Sequence, residues 1–405
     1  MIEKRLSNDT LNIEDKQLES VLLSIALAPH INPNFFISII QKHMPQGGEM
    51  PEFGGVKGKN HRGILPTGET VLFILAGNDQ KKRNQVAALL KDDAPLVKEG
   101  ILYLEHLPEG EPLMSGKLVM TQEYVDYFLF GEKSKPKFSP QFPAKEITTE
   151  LSWDDLVLAE NVREQIEELR IWVEQNTRLM TEWNMAKKLK PGYRALFHGA
   201  SGTGKTLTAT LLGKYTKKPV FRVDLSTVVS KYIGETEKNL ERLFQKAKSR
   251  DWILFFDEAD ALFGKRTGVK DAHDRFANQE VSYLLQRVED FDGLVILSSN
   301  FKSNIDDAFL RRFNAIIKFP FPNREERRAI AEKGFPSHVH FEDKKQTLNV
   351  FSNYELSGGS IMNVIHYACL QSLAKNTNII DHLDVIKGIK REIEKEGKVF
   401  SLRAG

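Results

Sequence analysis

The run Gly199-Ala200-Ser201-Gly202-Thr203-Gly204-Lys205-Thr206 constrains the fold of this chain more than any other feature. An apolar stretch, Tyr193 to Phe197, precedes it. A helical pattern with Leu207, Leu211, Leu212 and Tyr215 on one face follows it. Strand, glycine turn and helix in that order make a phosphate-binding loop. The glycines let backbone N–H groups converge on phosphate oxygens, and the helix N-terminus adds its dipole. Lys205 reaches the β- and γ-phosphates and the Thr206 hydroxyl takes Mg²⁺. Gly199 to Leu207 is therefore the expected nucleotide site, with ATP and Mg²⁺ as the expected cofactors.

The flanking sequence alternates strand and helix. Val220 to Asp224, Ile253 to Phe256, Leu294 to Ser298 and Ala315 to Phe319 read as further strands, and Leu240, Leu243, Phe244 and Ala247 mark a helix between two of them. Ile253 to Phe256 has no polar alternation, as expected of a strand buried on both faces. Such alternation implies an α/β class with a three-layer parallel sheet. After Pro322 the pattern is all helical, with Arg324 to Glu332, Ile361 to Ala374 and Leu383 to Glu394 as candidates, so an all-α lid domain is expected at the C-terminus.

Ile253-Leu254-Phe255-Phe256-Asp257-Glu258 places two carboxylates at the carboxyl end of a buried strand, where ligands sit in open α/β sheets. Asp257 is the expected Mg²⁺ partner and Glu258 the expected general base for an attacking water. Asn300 closes the next strand, within reach of a γ-phosphate or that water. Arg311 and Arg312 supply permanent charge for a transferred phosphoryl group.

The first 130 residues have a different texture. Leu18, Val21, Leu22 and Ile25 recur at helical spacing, while Gln46 to Gly63 is glycine-rich and aperiodic. Thr70 to Leu75 reads as a strand and Asp79 to Leu90 as a helix. Ile101 to Leu104 and Lys117 to Met120 read as a strand pair, and Thr121 as the cap of a helix through Phe130. This suggests a small α+β, winged-helix-like module. Residues 131–150, with Pro136, Pro140 and Pro143, read as a linker. The expected organisation is residues 1–130 as an N-terminal recruitment or assembly module and 131–150 as linker. Residues 151–322 are then the nucleotide domain and 323–405 the lid.

Formal net charge is only +2, which argues against a nucleic-acid coat. A single cysteine, Cys369, excludes an internal disulfide and fits a reducing compartment. His30, His43, His61 and His106 lack metal-ligand spacing. No secretory or membrane-spanning segment is apparent, so a cytoplasmic protein is expected.

Taken together these motifs resemble the AAA family of ring-forming ATPases from about Trp153 onward. Ser230 to Lys238 is similar to that family's first pore loop and following helix. Asn300 to Phe313 resembles its second region of homology. Leu356-Ser357-Gly358-Gly359-Ser360 resembles the start of its lid helix, and Trp153 to Val157 the segment on the other side of the adenine. The resemblance implies a homohexamer whose sites are completed by Arg311 and Arg312 of a neighbouring subunit. It implies adenine contacts from Leu156, Val157, Gly358 and Gly359. It also implies a pore in which Lys231, Tyr232 and Ile233 grip a polypeptide substrate. Lys265, Arg266 and Lys270 follow the third strand and read either as a second pore loop or as a solvated charge cluster. The chain departs from the family in two places. Its two arginines are adjacent, without an intervening Pro-Gly pair, and Met362 stands where related ATPases often carry a sensing arginine. The N-terminal module together with Asp274 to Asn278, Leu310 to Phe313 and the Ser357-Gly358-Gly359 lid also resembles the ATPase component of bacterial phage-tail-like contractile injection systems, which implies particle assembly, effector loading or disassembly.

The leading expectation is an ATP-driven protein remodeller or unfoldase. A nucleic-acid motor or loader using the N-terminal module, and a nucleotide-dependent scaffold, are the alternatives.

Overall fold

The alternation of buried residues along single strands organises the larger part of the molecule. The computed structural model describes residues 16–44, 46, 50–105, 107–108, 110–131, 138, 142–225, 235–260, 282–300 and 310–401. The chain divides into two compact units, Met1–Pro136 and Lys137–Gly405.

The first unit begins with α1 (Lys16–Ile31) and α2 (Phe35–His43). A short antiparallel pair follows, β1 (Val56–Lys57) with β2 (Ile64–Leu65). Next come α3 (Gly68–Ala76), α4 (Gln80–Ala88) and α5 (Pro95–Lys98). The antiparallel ribbon of β3 (Leu102–Leu104) and β4 (Leu118–Met120) leads into α6 (Gln122–Phe130). Leu22, Leu23, Phe36, Val71, Leu102 and Phe128 sit at the centre of its core.

One expectation for this unit is corrected. Thr70 to Leu75 is not a strand but the body of α3. Thr67 caps that helix, its side chain accepting the Thr70 N–H while the Thr70 hydroxyl accepts the Thr67 N–H. This reciprocal box satisfies two otherwise orphaned donors and overrides the strand preference of the β-branched and aromatic residues that follow. Thr121 does precede α6, but its hydroxyl donates to the Gly100 carbonyl rather than capping.

In the second unit, a six-stranded sheet has the order β10-β6-β9-β8-β7-β5. Its members are β5 (Ala144–Ile147), β6 (Tyr193–His198), β7 (Val220–Val223), β8 (Ile253–Phe256), β9 (Leu294–Ser299) and β10 (Ala315–Lys318). Five strands are parallel, and β5 runs antiparallel to β7 at the edge. Thus the segment expected to be a linker, 131–150, contains an edge strand. Ala144 is fully buried, and Phe142 packs edge-on to both Phe221 and Trp252. Pro143 is compatible with this because it enters at the start of an edge strand, where a missing N–H breaks no ladder.

Period-two geometry splits each central strand between two cores. Leu254 and Phe256 face one cluster with α9 (Glu235–Ser249) and the helical stretch 282–290. Ile253 and Phe255 face another with α7 (Glu160–Thr181) and α8 (Lys205–Thr216). The result is a sheet covered on both faces.

The lid consists of α10 (Arg324–Gly334), α11 (Lys344–Asn353), α12 (Gly358–Ala374) and α13 (His382–Lys395). A short parallel pair, β11 (His340–Phe341) and β12 (Ile379–Ile380), ties its ends together. Phe351, Ile361, Val364 and Ile389 are fully buried in its core. Cys369 packs at the margin of that core, and burial raises its thiol pKa. No single helix among the described residues is long and apolar enough to cross a membrane.

Candidate nucleotide site

Strand order and register assemble the site. β6, β9 and β8 are consecutive neighbours and parallel, so their carboxyl ends lie side by side. His198 pairs with Ser299, which sets Gly199 beside Asn300. Phe256 pairs with Leu297, which brings Asp257 to the same rim.

Gly199 sits at φ 151°, and a Cβ there would lie 2.1 Å from the Phe319 carbonyl oxygen. The turn from β6 into the loop is therefore open only to glycine. Gly204 has left-handed dihedrals (φ 98°, ψ 4°) and launches α8 without a side-chain cap, leaving the first amides of the helix directed at the loop. Thr203 closes the loop on itself, its hydroxyl donating to the Ala200 carbonyl at 2.9 Å.

Lys205 is buried within this loop. Its Nζ donates to the carbonyls of Gly199 (2.7 Å) and Ala200 (2.9 Å), and to Asn300 Oδ1 at 3.2 Å. Burial lowers its pKa, and the nearby charges of Asp257 and Asp260 oppose that shift. Sequence reasoning thus placed Lys205 and Asn300 in one site, and they are in hydrogen-bond contact.

Asp257 is half-buried and Glu258 is exposed at the end of β8. Glu258 adopts φ 51°, a left-handed conformation unusual for a residue with a Cβ. Its N–H donates to Asp257 Oδ1 at 3.1 Å. The chain then bends back toward β9. Ala259 N–H donates to the Ser298 carbonyl at 2.8 Å, and Asp260 accepts both the Ser299 hydroxyl and the Asn300 N–H, the latter at 3.0 Å. Sequence reasoning missed Asp260. The signal was present as a third carboxylate in Asp257-Glu258-Ala259-Asp260, one turn beyond the strand end.

The lid and the segment before α7 flank the loop. Leu156 is buried, and its Cδ1 lies 3.2 Å from where a Gly204 Cβ would be. Val157 follows it, half-buried. From the lid, Gly359 N–H donates to the Gly202 carbonyl at 3.0 Å, and Gly358 abuts the same carbonyl. Lys333 of α10 also donates to the Asp154 carbonyl. Met362 turns toward Gly334 of α10 instead.

The two arginines are not brought to this loop. Ala315 pairs with Ala195, so Arg311 and Arg312 lie beyond the amino end of β10, at the opposite rim of the sheet. Three strand residues, about 10 Å, separate that rim from His198. Arg312 pairs with Glu289. Arg311 is exposed and has no partner among the described residues. Lys231, Tyr232, Ile233, Lys265, Arg266 and Lys270 lie outside the described residues.

Residues 195–321 match the model of the ATPase family associated with various cellular activities (AAA). A 26S proteasome regulatory subunit 6B homolog from Dictyostelium discoideum is 30% identical over 232 residues, which cover 55% of this chain and 57% of that protein. A proteasome-activating nucleotidase from Methanocella arvoryzae is 27% identical over 248 residues, covering 60% and 59%. The chain thus spans less than two thirds of the length of these relatives. Among solved structures, the FIGL-1 AAA domain in complex with ADP aligns with TM-score 0.49 and 20% identity, over 61% of this chain and 86% of that one. The phosphate loop, the Asp257–Asp260 turn and Asn300 all fall within the matched span, so residues 195–321 are the part of this chain that is similar to an AAA ATPase domain.

Proposed function

We propose that this protein binds ATP with Mg²⁺, hydrolyses it, and uses the energy to remodel or unfold protein substrates as a homohexamer. The convergence of Lys205, Asn300 and Asp257 on the rim of β6, β9 and β8 carries the ATPase reading. In it the loop amides and Lys205 hold the phosphates, Glu258 takes a proton from the attacking water, and Asn300 orients the γ-phosphate or that water. The Thr206 hydroxyl and Asp257 carboxylate are hard oxygen donors of the kind Mg²⁺ prefers. Among the described residues no group of three or more His, Cys, Asp or Glu could hold a metal alone. When bound, the ion would be held by these two oxygen donors and would supply neutralisation of the phosphate charge.

The opposite-rim position of Arg311 and Arg312 supports assembly. Arginines at the rim opposite their own phosphate loop are placed to serve another copy's site, as in a closed ring. Action on protein is supported by similarity to proteasome-activating nucleotidases. The pore loop around Tyr232, the winged-helix-like recruitment role of residues 1–130 and service to a contractile injection particle rest on the sequence resemblance alone.

Steady-state phosphate release by the wild type and by Glu258→Gln tests this reading. The variant should keep ATP affinity and lose turnover. Turnover equal to wild type in that variant would sink the assigned mechanism, and a wild type without turnover would sink the ATPase reading itself.

A further inference from the structure

We propose that Asp260 is the positioning residue for Asn300, setting the amide of Asn300 on the phosphate lysine. The inference rests on the ATPase reading above and deepens it. Asp257 and Glu258 directly follow β8, whereas the Asp260 carboxylate grips the neighbouring strand. One oxygen accepts the Ser299 hydroxyl, and the other accepts the Asn300 N–H at 3.0 Å. Just before it, Ala259 N–H donates to the Ser298 carbonyl at 2.8 Å. Three consecutive residues at the carboxyl end of β9 are thereby fastened to two consecutive residues that follow β8. The ladder between the two strands ends at Phe256 and Leu297, so this clasp continues their pairing past the last ladder rung.

The consequence falls on the side chain of Asn300. Its backbone N–H is fixed by Asp260, while its Oδ1 accepts from Lys205 Nζ at 3.2 Å. The Asp260 carboxylate offers one oxygen to each of its two donors, the Ser299 hydroxyl and the Asn300 N–H. Both oxygens are committed to β9, which separates Asp260 from the metal and general-base roles of the other two carboxylates.

The test compares full-length wild type with Asp260→Ala, Asp260→Asn, Asn300→Ala and the Asp260→Ala/Asn300→Ala double variant. ATP turnover and fluorescent-nucleotide affinity are measured on each. Asp260→Ala should lower kcat about 10- to 100-fold, the scale on which misplacing an orienting group acts, with nucleotide affinity nearly unchanged. The double variant should turn over no more slowly than Asn300→Ala alone, because Asp260 acts through that residue. Asp260→Asn should recover most of the rate. Its oxygen still accepts the Asn300 N–H, and its NH₂ donates to a reoriented Ser299 hydroxyl.

Wild-type turnover in Asp260→Ala, multiplied losses in the double variant, or equal loss in Asp260→Ala and Asp260→Asn would each overturn the proposal. Hydrogen exchange at Asn300 gives a readout independent of catalysis. Protection should be lost in Asp260→Ala and kept in Asp260→Asn, and unchanged protection in the alanine variant overturns the proposal even if the wild type hydrolyses nothing. If the alanine variant fails to fold, Asp260→Asn with Ser299→Ala carries the test. The asparagine variant should keep kcat within about threefold of wild type and Ser299→Ala should keep Asn300 protected; failure of either overturns the proposal.

Discussion

Gly359, in the first turn of the lid helix α12, donates its backbone N–H to the carbonyl of Gly202 at the tip of the phosphate loop, at 3.0 Å. Backbone meets backbone here because neither residue has a side chain. A Cβ on Gly202 would lie 2.7 Å from Ser357 Oγ and 3.1 Å from Gly359 N. The lid is therefore joined to the loop through main-chain atoms, while Met362 packs toward Gly334.

Gly202→Ala should lose this contact. Gly202 sits at φ 76°, where alanine costs about 1–2 kcal/mol, and its methyl group would push Ser357 and Gly359 away. The expected result is a thermal midpoint lowered by a few degrees and impaired ATP turnover. Scanning calorimetry with a phosphate-release assay checks both, and an unchanged midpoint with full turnover would refute the join.

Lys205 predicts a pH dependence of nucleotide affinity. Burial holds its folded-state pKa below the 10.5 of an ordinary lysine. Bound phosphates favour the ammonium form, so affinity should be full at lower pH and fall as pH rises through the depressed value, up to about tenfold per pH unit. At alkaline pH, binding should take up protons, which calorimetry in buffers of different ionisation enthalpy detects. Lys205→Met should abolish the uptake.

The adjacent arginines should separate by function. Arg312 is paired with Glu289, both partly exposed, so Arg312→Ala should cost no more than about 1 kcal/mol of stability. Arg311 holds nothing in its own chain among the described residues, so Arg311→Ala should leave stability unchanged and reduce turnover of the assembled protein. Mixing Arg311→Ala with Glu258→Gln should recover some turnover, since a mixed ring contains sites with both groups intact. No recovery, in an assembly shown to exchange subunits, would place Arg311 outside a shared site.

Arg327 predicts how strongly the lid itself is held together. It is buried, and its guanidinium donates to the carbonyls of Pro322 (2.7 Å), Phe351 (3.1 Å) and Ser352 (2.6 Å). Arg327→Met fills similar space but strands these acceptors, at an expected cost of about 2–4 kcal/mol. Denaturant unfolding monitored by tryptophan fluorescence, with far-UV circular dichroism in parallel, should show the lid melting first. A single transition at the wild-type midpoint would contradict this.

The site was legible where chemistry demands a residue type at a fixed spacing. Gly199 to Thr206, Asp257, Glu258 and Asn300 declared themselves because strand ends and a glycine turn leave few alternatives. Lid helices α10, α12 and α13 were legible from their apolar period. Asp260 was not, because its role depends on which strand lies beside β8, and strand order is written in packing rather than in local pattern. Strand β5 was obscured by its prolines, which an edge strand tolerates. Helix α3 was hidden by a strand-like composition that the Thr67–Thr70 cap overrides. Helices α7 and α11 were passed over altogether, although Val162, Ile166, Leu169 and Val173 follow a regular apolar stripe.

The left-handed backbone of Glu258 has an evolutionary corollary. At φ 51° a glycine would sit there without strain, whereas glutamate bears a penalty of about 1–2 kcal/mol, only partly offset by the greater freedom glycine has when unfolded. The position to which the proposed function assigns the general base is one where the fold would accept loss of the carboxylate. A copy of this chain released from selection for turnover would drift toward glycine or asparagine at 258 and keep its architecture while doing so. On the proposed ATPase reading, such a descendant would stay folded and no longer turn nucleotide over.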